Sequence, residues 1–338
     1  MTAMGESLAQ QPGGEAAAAM SAGPRLRILY MGSGRIAVPA LAALLACPQM
    51  EVVGIATQPD RPQGRQRSLT PTPVGAWCQR HGVPVQQPGS VNRPEFVQWL
   101  ATLELDLIVV FSFGQLLKEP LLKLPKWGCV NLHASLLPSY RGASPVTAVI
   151  LNGESQTGIS VMQMAVALDA GAVYARHPLP LTGAEYAPEV EERLAALAAA
   201  TIGQSLQQIS RGELLALPQD EGAATYAPRL AKSDGQLVWT QPAARLARQV
   251  RAYYPWPGAW FTADTPRGPC RISVTAATVT PGSAAAKPGS YLQTDDEAWI
   301  VACGQDALRL DRLIPEGRKE MSAAEYLRGR PSSKGISA

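Results

Sequence analysis

Apolar residues along this chain fall into short continuous runs that alternate with stretches of helical period. The run over 26–31 (LRILYM) reads as a buried strand, enters Gly32-Ser33-Gly34, and is followed by an apolar-periodic stretch over 36–45, giving strand, glycine turn, helix. The pattern then predicts a strand over 51–57, a helix over 74–81, a short strand over 83–86, a helix over 93–103 and a fully buried strand over 105–111 (LDLIVVF). A β-like segment closes within 128–133, a helix is predicted over 145–151, a strand-like run opens at 158, and a long Ala/Leu-rich helix spans 187–209. Strands alternating with helices predict a doubly wound, mostly parallel α/β sheet of Rossmann-like type.

Beyond a polar joint at 211–224 the character changes. Strand-like segments at 236–239, 259–262, 271–278, 289–293, 297–302 and 307–313 are spaced by Pro, Gly and Asp turns, which predicts a small OB-like β-barrel. Between the first two, 242–252 reads as a helix whose Arg245, Arg248 and Arg251, three residues apart, share one face. The expected layout is an extension at 1–24, an α/β domain at 25–210, a linker at 211–228, a barrel at 229–330 and a tail at 331–338.

Length and composition narrow the class. A chain of 338 residues can hold two cores, and 46% hydrophobic with 17% charged residues is a water-soluble balance. The net charge of +3 is mild, so contact with nucleic acid must come from local basic clusters. Five dispersed cysteines without a C-x-x-C pair argue against a disulfide framework, and three histidines without partners at ligand spacing predict metal-free catalysis. Residues 1–24 lack a charged n-region and an apolar core and are expected to be disordered, with Met20 an alternative start. No apolar run reaches the ~18 residues of a membrane span, so a cytoplasmic monomer is expected.

Candidate chemistry concentrates in residues 128–142, GCVNLHASLLPSYRG. Asn131 and His133 lie at i and i+2, so on a strand they share a face while Leu132 points the other way. Pro138 and Gly142 prevent the strand from continuing, which places both at its carboxyl end, where open α/β sheets hold ligands. Downstream, the run over 158–172 closes on Leu168-Asp169-Ala170-Gly171, a carboxylate at a tight turn. A carboxylate near an imidazole favours its protonated form and fixes its tautomer, as proton transfer near neutral pH requires. Taken singly, Asn131 reads as a turn or capping residue, His133 as a hydrogen-bonded structural histidine and Asp169 as a turn former; together they make a candidate trio.

The stretch NLHASLLPSYRGASPV, with LDAG, resembles the signature of the folate-dependent formyltransferase family. The resemblance implies transfer of a formyl group from 10-formyltetrahydrofolate to an amine. Asn131 then donates to the developing oxyanion, His133 handles the proton, and Asp169 orients the imidazole or a water. It also implies folate contacts from Phe111, Gly114, Ser135, Leu136, Leu137, Pro138, Ala165 and Leu168. Two departures stand out: Ser33-Gly34-Arg35-Ile36 replaces the usual Thr-Pro-acid-Phe of the opening turn, and Ala172 replaces a second acid.

The arginine-bearing stretch TQPDRPQGR resembles the loop with which family members acting on initiator tRNA grip its acceptor end. Guanidinium groups suit that task, meeting phosphates by charge and bases by stacking. TYAPRLAKSDGQLVW, VRAYYPWPGAW and IPEGRKEMSAAEYL resemble the C-terminal domain of the same members, so the likeness runs from about Arg25 to about Arg330. It implies methionyl-initiator tRNA as acceptor, with Arg61, Arg65, Arg67, Arg141, Arg245 and Arg248 as its cations. The alternatives are a formyltransferase acting on glycinamide ribonucleotide or an amino sugar, and a nonenzymatic RNA-binding protein. A NAD-dependent oxidoreductase rests only on the G-x-G of the opening turn.

Overall fold

The computed structural model describes residues 25–63, 68–265, 268–283, 285–292 and 298–328. The opening buried run forms β1 (Leu26–Gly32), and a single 3-10 turn leads into α1 (Val38–Ala46) and β2 (Met50–Ala56). A hairpin of β3 (Arg61–Gln63) and β4 (Ser68–Thr70) follows, then α2 (Pro73–His81), α3 (Pro94–Ala101), β5 (Leu107–Phe111), the short α4 (Glu119–Leu122) and β6 (Cys129–His133). After β6 come β7 (Arg141–Gly142), α5 (Pro145–Asn152), β8 (Gln156–Gln163), β9 (Val173–Pro180) and the long α6 (Ala187–Ser210).

The main sheet runs β2-β1-β5-β6-β8-β9. Pairing is parallel from β2 to β6, and antiparallel at β6–β8 and β8–β9. Both faces of the central strands are covered, which is why they read as unbroken apolar runs. Ile28, Tyr30, Val109, Val130 and Leu132 pack with Leu41, Leu194 and Ile202 on one face, whereas Leu29, Met31, Ile108 and Val110 pack with Leu100 and Leu121 on the other.

Some expectations need correcting. No strand forms at 83–86, where Gln86 makes a single bridge to Ala56. The loop expected over 58–67 instead begins as the β3–β4 hairpin. The edge strand β9, VYARHPLP, was not anticipated: its half-exposed alternation and its prolines suit a sheet edge, where an unpaired N–H is not needed.

The segment after α6 returns to the first domain as β10 (Tyr226–Ala227), which pairs with β7. Beyond it lie α7 (Ala243–Ala252), β11 (Ala259–Thr265), β12 (Gly268–Thr280), β13 (Tyr291–Leu292), β14 (Trp299–Ala302), β15 (Ala307–Pro315), β16 (Met321–Ser322) and α8 (Ala323–Arg328). The strands form an antiparallel sheet in the order β11-β12-β15-β14-β13, with β16 on β15, curled as a half-barrel around the buried Trp299. Register shifts on either side of Ala276 bend β12 and supply that curl. Residues 236–239 are not a strand; Gln236 bridges Trp260 once. Gln293 and Glu297, expected at strand ends, and the tails at 1–24 and 331–338 lie outside the described residues.

The arginine face of α7 turns toward the first domain. Arg248 Nε donates to the Leu151 carbonyl at 3.0 Å, Arg251 donates to the Gly183 carbonyl at 2.8 Å, and Tyr253 is buried in the α/β core. Among the described residues no helix is long and apolar enough to cross a membrane.

Candidate active site

Strand β6 sets two side chains on one face: Val130 and Leu132 enter the core beneath the sheet, so Asn131 and His133 point the opposite way. Asn131 lies between Val110 of β5 and Met162 of β8. Its carboxamide is half-buried and makes no hydrogen bond to the described residues, leaving its N–H groups for a ligand.

The histidine is more constrained. His133 Nε2 lies 2.9 Å from the Tyr140 carbonyl, and because a carbonyl only accepts, Nε2 carries a hydrogen. The other nitrogen, Nδ1, faces Asp169 Oδ2 at 3.6 Å, with only 6% and 11% of the two side chains exposed. Nδ1 is therefore the nitrogen free to exchange a proton. The same Asp169 oxygen accepts the Gly142 N–H at 2.8 Å, so the carboxylate ties the downstream turn to the signature loop. The expected trio thus divides into a bound pair, His133 and Asp169, and an unbonded amide on the same strand face.

Asp169 adopts φ 52, a left-handed conformation that costs a typical L-residue about 1–2 kcal/mol and that Asp tolerates better than most. Two features hold the turn. A Cβ on Gly171 would overlap the Gln163 carbonyl oxygen, so only glycine lets the turn lie this close to β8. Gln219 Nε2 also donates to the carbonyls of Asp169 and Gly171, each at 2.7 Å.

Arg141 is a correction. Expected as a tRNA cation, it is 2% exposed, with Nε and Nη2 donating to Gln219 Oε1 at 3.1 and 2.9 Å and a paired contact to Glu221 at 2.9 and 2.7 Å. Its guanidinium is consumed inside the protein and holds the Glu221 carboxyl below the usual carboxylate range. Gln219 and Glu221 went unnoticed as site residues because both lie in what reads as a polar linker.

The residues expected to touch folate fall into two groups. Phe111 is a core residue. Ser135 is fully buried with its hydroxyl on the Ser139 carbonyl, and Leu137 is buried with its N–H on Ser160 Oγ and its carbonyl taken by Arg176. The side chains of these three are buried in the wall of the site. Gly114, Ala165 and Leu168 are exposed, and Leu136 and Pro138 half-exposed. Val166 at 72% and Leu168 at 55% exposed make an apolar lip beside Asp169.

Near the ends of β1 and β2 lies a polar cluster that sequence reading missed. Thr57 and Thr72 hydroxyls meet at 2.6 Å, and Ser33 Oγ donates to the Phe113 carbonyl while accepting the Gln58 N–H at 3.0 Å. It anchors the hairpin that carries Arg61, which is exposed; Arg65 and Arg67 lie outside the described residues.

A Rossmann-like domain with an amide, an imidazole and a carboxylate at its strand ends, joined to a half-barrel, is the architecture of a formyl transferase. Residues 25–206 match the formyl transferase family, residues 229–331 match the formyl transferase C-terminal domain, and the chain belongs to this family. It is 39% identical over 311 residues to methionyl-tRNA formyltransferase of Geobacter metallireducens, covering 92% of this chain and 98% of that protein. It is 41% identical over 305 residues to methionyl-tRNA formyltransferase of Geobacter sulfurreducens, covering 90% and 94%. Among solved structures, HypX from Aquifex aeolicus in complex with tetrahydrofolic acid aligns with a TM-score of 0.59 at 16% identity over 90% of this chain and 47% of HypX, so the chain spans about half of that protein. WlaRD, a sugar 3N-formyl transferase, aligns over 88% of this chain and all of its own with a TM-score of 0.58 at 14% identity. At these identities the structural likeness speaks for the fold alone.

Proposed function

We propose that this enzyme moves the formyl group of 10-formyltetrahydrofolate onto the α-amino group of methionyl-initiator tRNA. The observation that carries the reaction is the unbonded Asn131 amide beside a histidine whose only uncommitted nitrogen faces a carboxylate at 3.6 Å. The acceptor is supported by relatives named for it at 39 and 41% identity over nearly their whole length.

The exposed side of the site fits a reduced pterin. An apolar lip at Val166 and Leu168 can cover a flat ring, and the exposed Gly114 lets backbone approach it. The bound folate supplies an electrophilic formyl carbon and a departing N10. Asn131 donates to the formyl oxygen as charge gathers there; removing one such donor typically costs about 10²–10³ in rate. The attacking α-amine titrates near ~7.7–8.0, so it needs little activation at neutral pH. His133 Nδ1 takes the proton that the amine nitrogen sheds as its bond to carbon forms, and delivers it to N10 as the C–N10 bond breaks. Asp169 balances the charge that the imidazole carries between those two transfers. No residue is formylated.

On the acceptor side, the exposed Arg61, with Arg65 and Arg67 of the same sequence stretch, meets the tRNA end, and Arg245 adds charge from α7. Arg248 contributes less, since its Nε is engaged by the Leu151 carbonyl.

The test is one assay with a radiolabelled formyl donor and competing acceptors, charged initiator tRNA against glycinamide ribonucleotide and amino sugars. Label is expected on the tRNA. Preferential labelling of a small amine overturns the acceptor, and labelling of none overturns the reaction.

A further inference from the structure

The segment joining the two domains is built into the site rather than strung beside it. Its residue Gln219 is 9% exposed and reaches back 50 positions to bind the Asp169 carbonyl. All of its amide's hydrogen-bonding groups are used in one direction. Arg141 can only donate, so the oxygen of Gln219 must face Arg141 and the nitrogen must face the turn, which settles the amide's orientation chemically. The nitrogen then spends one hydrogen on Asp169 and one on Gly171, the two ends of the turn that carries the carboxylate.

We infer that Gln219 is a positioning residue for formyl transfer: oriented by Arg141, it clamps the 169–171 turn so that the Asp169 carboxylate faces His133 Nδ1. The inference rests on the reading of the trio given above and deepens it. The carboxylate itself accepts one hydrogen bond, from Gly142, beside its 3.6 Å contact with His133; the neighbouring Ala170 N–H is used within the turn, and past the turn the Gln163 N–H binds the Ala172 carbonyl at 2.8 Å, so Gln219 is what fixes the turn's own Asp169 and Gly171 carbonyls. A geometric error of about 1 Å at a reacting group can cost on the order of 10²-fold in rate. Losing both donors at once frees the turn to drift on that scale.

The test uses the full chain with Gln219→Met, which keeps length and bulk but cannot donate, and Gln219→Glu, which sets a carboxylate oxygen against two carbonyls. For Gln219→Met, kcat should fall about 10- to 100-fold with KM for folate and tRNA within about twofold of wild type. In an Asp169→Ala background the same change should cost less than about threefold more, because the clamp acts only through that carboxylate. Gln219→Glu should be at least as impaired as Gln219→Met. Independently of turnover, the Gly142 amide should exchange with solvent about tenfold faster in Gln219→Met, having lost a fixed acceptor. Wild-type kcat together with unchanged Gly142 protection overturns the inference, as does a loss that multiplies fully with Asp169→Ala. Failure of the wild-type enzyme to formylate overturns the functional reading instead, and the exchange measurement still decides on the clamp.

Discussion

Gly142 is where the signature loop, the Asp169 carboxylate and the interdomain segment meet, and its replacement by alanine has consequences that can be worked from the structure. Its φ is 119, outside the range that L side chains readily adopt, and a Cβ there would sit 2.5 Å from the Ala227 carbonyl oxygen, inside the 3.0 Å that real Cβ atoms respect. Backbone strain of this kind costs about 1–3 kcal/mol, and overpacking adds about 1–3 kcal/mol. The crowding must be relieved by moving the loop about 0.5 Å away from β10, and the Gly142 N–H that binds Asp169 at 2.8 Å moves with it. With 1 Å worth on the order of 10²-fold, half of that displacement predicts a kcat loss of about tenfold. Gly212→Ala is the matched control, because it places alanine at φ 71 with no atom within 4 Å of the added carbon. Urea unfolding should show Gly142→Ala less stable than the control by ~1–3 kcal/mol, and steady-state kinetics should show the kcat loss only in Gly142→Ala. Equal kcat in the two variants would refute the link between this contact and catalysis.

Three further expectations are independent of that one. Asn131→Ala should lower kcat by about 10²–10³ while calorimetric folate affinity changes little, and wild-type turnover would remove the amide from the oxyanion's surroundings. Arg65→Ala should raise KM for tRNA and flatten its dependence on salt without affecting KM for folate; an unchanged salt slope would remove Arg65 from the acceptor's contacts. Glu185 gives a pH signature: burial pushes its carboxyl up, but the N–H groups of Thr182 and Gly183 outweigh that and hold it at about 2. A carboxyl lowered from about 4.5 in the unfolded chain adds stability above that pH and loses it as pH falls from about 4.5 toward about 2. The stability gap between wild type and Glu185→Gln should accordingly be full at pH 7 and shrink below about pH 4.5 in denaturant titrations; a gap that widens on acidification contradicts the sign.

Sequence reading located what is determined locally. An amide and an imidazole at i and i+2 before a proline-bearing loop place both on one face at a strand end, and Asp-Ala-Gly reads as a turn, so these local placements are legible in the sequence, whereas the 3.6 Å approach of Asp169 to His133 is a long-range contact that spacing does not encode. The half-turn of the sheet was less so: residues 164–172 between β8 and β9 are too few for a parallel crossover, which requires about a dozen, yet the polar alternation of VYARHPLP hid the strand itself. Arg141 was misread because a cation in a loop is ordinarily solvated, and its partners Gln219 and Glu221 lie 78 and 80 positions away. Nothing in the spacing of a polar linker announces a buried acceptor for an arginine.

That misreading has a structural consequence beyond the residues involved. The interdomain segment pairs β10 with β7, and around it the Thr225 hydroxyl accepts the Tyr140 N–H at 2.9 Å while the Ala227 carbonyl accepts the Ser144 N–H at 3.2 Å. Tyr140 is the residue whose carbonyl fixes the hydrogen on His133 Nε2. One short stretch of chain therefore touches the element that sets the imidazole's tautomer and, through Gln219, the turn that sets the carboxylate. The same stretch leads directly into α7 and the half-barrel, whose arginines bind carbonyls of the first domain at Leu151 and Gly183.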